Sequence, residues 1–303
     1  MKVLTCDLAE LHNLWMDRGW VHIPGAVHPE LIEHLCYEIA KAPKHGQVPG
    51  GASIEGEKAR YVYDPPDGPA TVAALREAVA RLSGTNAGSL TLSERHLEVY
   101  LEDADPDPPA HNDRRSSQVS VSISVEVPPG SSLLVYPETD VGENPFLDAG
   151  LRTSLEPFEM PEVILAGAPA VVIRDSPGDL IAITGSSMWH RRANASGSAH
   201  LCLKFNDFGC DPLGEDLRHA GTPAPARPVL SPAVEWFGVL QGHGGFEQPM
   251  VKVWDASLFP ITSGELAFLT ALRSGANRGS LPTDYGDPAF SVDRLVRRGV
   301  VVL

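Results

Sequence analysis

Positive charge is scarce in this chain: 24 Lys and Arg stand against 39 Asp and Glu, a formal net charge of −15 over 303 residues. That balance argues against a nucleic-acid partner, because phosphate binding needs clustered basic side chains. Cysteine is scarcer still. Cys6, Cys36, Cys202 and Cys210 lie far apart, with no C-x-x-C pair among them. That pattern argues against a disulfide-stapled scaffold and is read as reduced thiols in a cytoplasmic protein. No apolar run approaches the roughly 20 residues of a membrane span. The opening "MKVLTCDLAELHNLW" lacks the apolar core and small-residue cleavage site of a signal peptide, so the expectation is a protein with no membrane partner. What is present is ordinary for a globular chain with a sizeable core: 43% apolar and 21% charged residues. The length suits one large domain, or one domain with an appendage.

Residues 7–19, 28–42 and 69–83 have helical periodicity. Leu31, Ile32, Leu35 and Ile39 form one apolar stripe, with Pro29 in the first turn. In the third helix Ala73, Leu75, Ala78, Val79 and Leu82 are expected towards the core. "GWVHIPGAV" reads as a short strand closed by a Pro-Gly turn, and 43–59 as a loop. From 90 to 206 the texture becomes β-rich, with "HLEVYLE", "SQVSVSISVEV", "SSLLVYP", "PAVVIRDS", "GDLIAIT" and "AHLCLKFND" separated by turns. Short strands without intervening helices predict an antiparallel sandwich or barrel. The division expected is a barrel domain over 1–210, a Pro/Gly/Ala-rich linker over 211–232 and a C-terminal module over 233–303. In that module "SGELAFLTALRSG" reads as a helix capped by Ser263, and "SVDRLVRRGVVVL" as a second helix turning into a strand. The helix–helix–strand order resembles a winged helix, and the acidic charge assigns it to packing or homodimer formation rather than DNA.

The chemistry concentrates in "PPAHNDRRSSQVSVSISVEV", residues 108–127. In an extended segment residues i and i+2 share a face, so His111 and Asp113 present an imidazole and a carboxylate side by side. An H-x-D alone also fits a polar loop. In the strand that follows, Val119, Val121, Ile123 and Val125 alternate with Ser120, Ser122 and Ser124. One apolar face and one small polar face suit a barrel whose lumen holds something polar. A third ligand should come from a later strand end, and "GDLIAITGSSMWHRRANASG" supplies His190. Two histidines and a carboxylate with open positions form the facial triad of non-haem Fe(II) oxygenases.

The order "AHND", "GDLIAITGSSMWHRRANASG", "AHLCLKFND", with "DRGWVHIPGAVHPELIEHLCYEIAK" before it, resembles the Fe(II)/2-oxoglutarate-dependent oxygenases. The likeness is strongest to their phytanoyl-CoA dioxygenase-like branch and covers about residues 8–210. It implies a mainly β fold with flanking helices, the cupin-like jelly roll called a double-stranded β-helix. It also implies Fe(II) on His111, Asp113 and His190, with 2-oxoglutarate and O2 as cosubstrates and a small-molecule substrate, possible in natural-product tailoring. Retention of the Asp113 carboxylate favours oxygenation, most simply hydroxylation, over the halogenation of relatives that lack it. The family's arginine for the far carboxylate of 2-oxoglutarate is missing, since His200 and Leu201 stand in its place. Lys204 on the same strand face is the favoured substitute, with His200 and Arg192 as alternatives, and Tyr100 could hydrogen-bond the cosubstrate. Two other readings are kept: a cupin-like ligand-binding regulator, and a metal-dependent cupin enzyme that does not use 2-oxoglutarate.

Overall fold

The computed structural model describes residues 2–41, 58–113, 116–137 and 160–207, then 209, 211, 215–219, 229–231, 234–241, 247–253, 258–274, 292, 295 and 300–302. The chain divides into two compact units, Met1–Gly209 and Cys210–Leu303.

In the first unit a 3-10 turn capped by Asp7 leads into α1 (His12–Arg18), which Gly19 ends in the left-handed conformation at φ 68°. The strand β1 (Trp20–Ile23) follows, then α2 (Pro29–Lys41), whose Leu31 and Leu35 are fully buried. After β2 (Ala59–Val62) comes α3 (Pro69–Ser83), with proline in its first turn and Gly84 in the left-handed region past its end. Leu75, Ala78, Val79 and Leu82 are buried, whereas Ala73 is exposed and Val72 takes its place facing inward. Burying each large aliphatic side chain is worth about 1.5–3 kcal/mol, so these stripes fix how the helices lie.

The remaining strands are β3 (Thr91–Val99), β4 (Val119–Glu126), β5 (Ser132–Tyr136), β6 (Val171–Ile173), β7 (Leu180–Ile183), β8 (Trp189–Ala193) and β9 (Ala199–Asn206), with a short helix α4 (Pro161–Ile164) before β6. They form two antiparallel sheets, β1-β7-β4-β9-β3-β2 and β6-β5-β8. Leu133, Val135 and Ile173 of the smaller sheet pack with Ile181 and Ile183 of the larger, so the two sheets face each other. In β4 the four apolar residues are buried and α2 packs against the strand, while Ser120 and Ser122 line the lumen. Three departures from the sequence expectation stand out. Ala59, read as loop, opens β2; β3 begins at Thr91 rather than at His96; and "WHRRA", left without an element in the sequence, is β8.

The second unit holds β10 (Val229–Leu230), β11 (Val234–Gln241), β12 (Glu247–Val253), β13 (Leu258–Pro260), α5 (Ser263–Arg273) and β14 (Val301–Val302). β11, β12 and β13 form an antiparallel sheet, and β10, within the stretch read as linker, pairs with β14. Where helical spacing dominated the expectation, the described residues are as much sheet as helix. The α5 cap is Thr262, one residue before the expected Ser263. Its hydroxyl accepts from the Glu265 N–H at 3.1 Å, and the Glu265 carboxylate accepts from the Thr262 N–H at 2.9 Å. Among the described residues no helix is long and apolar enough to cross a membrane.

Candidate metal centre

The H-x-D segment is sewn to the start of β8 by backbone. His111 and His190 exchange both N–H···O=C bonds at 2.9 Å, and the Asp113 N–H donates to the Gly185 carbonyl at 2.9 Å. A β-bridge of this kind sets two histidines side by side, with ring centroids 4.5 Å apart. Asp113 joins them, and one ligand atom from each of the three residues lies within 4.8 Å of the others.

The protonation states suit a cation. His190 Nδ1 lies 2.9 Å from the Met188 carbonyl, which can only accept; Nδ1 therefore carries the proton and Nε2 is left with its lone pair, 3.9 Å from Asp113 Oδ2. Burial lowers the pKa of both rings. His111 is brought down to about 3, with His190 pushing the same way, so both are neutral donors near pH 7. Burial alone would raise the Asp113 carboxyl, but Lys204, His190 and His111 hold it well below the usual carboxylate range. Two imidazole nitrogens and one carboxylate oxygen fit a divalent transition metal.

Asp113 is gripped on both oxygens. Lys204 Nζ donates to Oδ1 at 2.7 Å and Ser120 Oγ to Oδ2 at 2.5 Å. Lys204 also lies 3.3 Å from Glu94, so the lysine favoured for a cosubstrate carboxylate is engaged by two of the chain's own carboxylates. The serine comes from the polar face of β4, and Gly185 leaves room for both: a Cβ there would sit 2.6 Å from Asp113 Oδ2.

Tyr100, Arg192, His200 and Lys204 line one cavity together with His111, Asp113 and His190. Arg192 sits on β8, two residues beyond His190, and its fork meets Asp175 at 2.8 and 2.9 Å. Tyr100 is buried with the Lys58 ammonium 5.3 Å from its ring centroid. His200, Cys202 and Lys204 all face the lumen from β9, and burial pushes the Cys202 thiol up to about 12. Asn194 and Ser196 brace the following loop by bonds of 2.9 Å to the Gly130 and Ala104 carbonyls, and Trp189 is buried. Arg114 and Arg115 lie outside the described residues. Sequence reading missed Lys58 just before β2, Arg60 on β2, and Glu94 and Glu98 on β3. Lys58 and Arg60 meet Glu98 at 2.5 and 3.0 Å. The signal for them was the alternation of "SERHLEVY", which turns Glu94, Glu98 and Tyr100 towards one face.

No protein-family model matches the chain, and no curated protein matches it. Solved structures do. The non-haem alpha-ketoglutarate-dependent epimerase SnoN from nogalamycin biosynthesis superposes with a TM-score of 0.50 at 17% identity, over 72% of this chain and 91% of that one. The fold is shared. The two sheets of the first unit are thus those of a jelly roll, the double-stranded β-helix. EvdO2 from Micromonospora carbonacea var. aurantiaca, complexed with 2-oxoglutarate, matches at a TM-score of 0.49 and 14% identity, over 68% of this chain and 93% of that one. A prolyl-4-hydroxylase of Pseudomonas putida matches at 0.48 and 15%, over 67% of this chain and 100% of that one.

Proposed function

We propose that the chain is a non-haem Fe(II)/2-oxoglutarate-dependent oxygenase that hydroxylates a small molecule. The observation that carries this reading is the convergence of His111, Asp113 and His190 within 4.8 Å, at the lumen of a jelly roll. His111 Nε2, His190 Nε2 and a carboxylate oxygen of Asp113 would hold the iron, leaving other positions open for small ligands. Bound iron with 2-oxoglutarate and O2 supplies oxidative decarboxylation to succinate and CO2, coupled to oxidation of a substrate C–H bond. The chain's own part is to keep both imidazoles neutral, the carboxylate ionised and the ligands fixed: Met188 orients His190, while Ser120 and Lys204 orient Asp113. The walls of the cavity exclude bulk water and position the substrate.

Membership of the phytanoyl-CoA dioxygenase-like branch is the finer form of this reading, supported by "AHND" and by the Gly178-Asp179 turn that launches β7 towards His190. A natural-product substrate is supported by what SnoN serves in its own organism. For residues 233–303 the winged-helix-like reading, with two copies meeting through it, is supported by the capped α5 and the terminal strand β14. Incubation with Fe(II), 2-oxoglutarate and O2 tests the function. Succinate should form, and His111→Ala and His190→Ala should abolish both succinate formation and iron loading. Iron loading without succinate would favour a cupin enzyme that does not use 2-oxoglutarate; neither iron loading nor succinate in the wild type would leave a ligand-binding regulator.

A further inference from the structure

Lys204 stands on β9 between two neighbours that the sheet supplies. Its register partner on β3 is Glu94, and on β4 it is Ser120. Lys204 and Ser120 grip Asp113 from opposite oxygens: the ammonium donates to Oδ1 at 2.7 Å and the hydroxyl to Oδ2 at 2.5 Å. Glu94 lies 3.3 Å from the ammonium. The side chains are 11% (Lys204), 5% (Asp113) and 2% (Glu94) exposed, so these charges act on one another with little screening by water. The other lumen cations are engaged elsewhere, Lys58 and Arg60 by Glu98 and Arg192 by Asp175. Among the described residues Lys204 is the one that bonds to a candidate metal ligand.

Holding a carboxylate in place does not require a charge. Ser120 holds one oxygen with a neutral hydroxyl, and burying an ammonium costs far more than burying a hydroxyl. What the lysine adds is a positive charge one hydrogen bond away from a donor of the metal. Two neutral imidazoles and one carboxylate offer the ion a single negative charge, and the ammonium offsets it. Its repulsion grows with the charge of the ion, so a trivalent ion is penalised more than a divalent one. Glu94 returns part of that negative charge, but from one step further out.

We propose that Lys204 is a positioning residue that acts through Asp113 on the oxidation state of the metal. Its ammonium biases the site towards a divalent ion and raises the Fe(III)/Fe(II) potential, and Glu94 limits the bias. This rests on the reading of His111, Asp113 and His190 as an iron site. The proposed reaction begins from Fe(II), which air converts to Fe(III). A raised potential therefore keeps the resting protein in its competent state.

The test is a potential, not a turnover. The full chain is loaded with iron under argon, and its Fe(III)/Fe(II) potential is measured by mediated spectroelectrochemistry with no cosubstrate added. Lys204→Met should increase the preference for Fe(III) over Fe(II) by on the order of 10–100-fold, a fall of about 59 mV for each factor of ten. Glu94→Gln should move the potential the other way. Lys204→Met combined with Glu94→Gln removes both buried charges at once, which protects the fold, and should still lie below wild type because the nearer charge dominates. A merely mechanical grip predicts the opposite sign, since a slack carboxylate costs the trivalent ion more. A rise or no change in whichever of the Lys204→Met chains folds overturns the proposal and leaves the iron site standing. A wild type that binds no iron overturns the iron reading and the proposal together.

Discussion

Gly185 lies in the loop between β7 and β8, directly against Asp113. Its carbonyl accepts from the Asp113 N–H, and an added Cβ would collide with Ser120 Oγ, lie 2.6 Å from Asp113 Oδ2 and 2.9 Å from the Ser117 carbonyl. Gly185→Ala should therefore push the carboxylate off its position. We expect Ni(II) affinity to fall at least about tenfold, read by calorimetry, because misplacing one of three ligands costs more than about 1.4 kcal/mol. His111 and His200 make a second expectation. Burial, reinforced by His190 for His111 and by Arg192 for His200, brings each folded-state pKa to about 3, against about 6.5 for a free histidine. Between those values the unfolded chain binds protons that the folded metal-free chain refuses. Stability is thus whole above about pH 6.5 and declines as pH falls towards 3, by up to about 1.4 kcal/mol per pH unit for each ring. The urea midpoint of the metal-free chain should drop between about pH 7 and pH 5, and His200→Leu should make that slope shallower. A slope unchanged in His200→Leu would show that this ring is already charged when folded.

At the level of elements, β2 is an edge strand joined to β3 by four register pairs and by charge. Lys58 and Arg60 both reach Glu98, which burial would raise but which these cations hold well below the usual carboxylate range. Removing one member of a buried ion cluster leaves the others desolvated and unpaired. Glu98→Gln should cost about 3 kcal/mol or more in urea unfolding, with faster amide exchange across β2. Much of this architecture was legible in the sequence. The serine–valine alternation of β4 announced its two faces, the spacing in α2 and α3 announced their stripes, and same-face geometry paired His111 with Asp113. Other parts depend on residues far apart in the chain. Lys204 reads as a free cation because Asp113 and Glu94, 91 and 110 positions away, arrive beside it only through the β9 pairings. β8 was illegible because Trp189–Ala193, with two arginines and a histidine, shows no apolar alternation. In place of such a pattern the strand has a partner, the whole length of β5.

Over the whole molecule the charge is unevenly distributed. Four lumen cations, Lys58, Arg60, Arg192 and Lys204, face four carboxylates, Glu94, Glu98, Asp113 and Asp175, so the net −15 resides outside the lumen. An acidic exterior attracts divalent cations and is screened within about 8–10 Å at physiological salt. The association rate of Ni(II), followed by stopped flow, should fall as ionic strength rises, whereas its dissociation rate should change little. The reciprocal backbone bonds between His111 and His190 bear on a different matter, what survives the loss of a side chain. Main chain alone stitches the H-x-D segment to β8, so replacing either imidazole would leave that seam, and the placement of the other ring, intact.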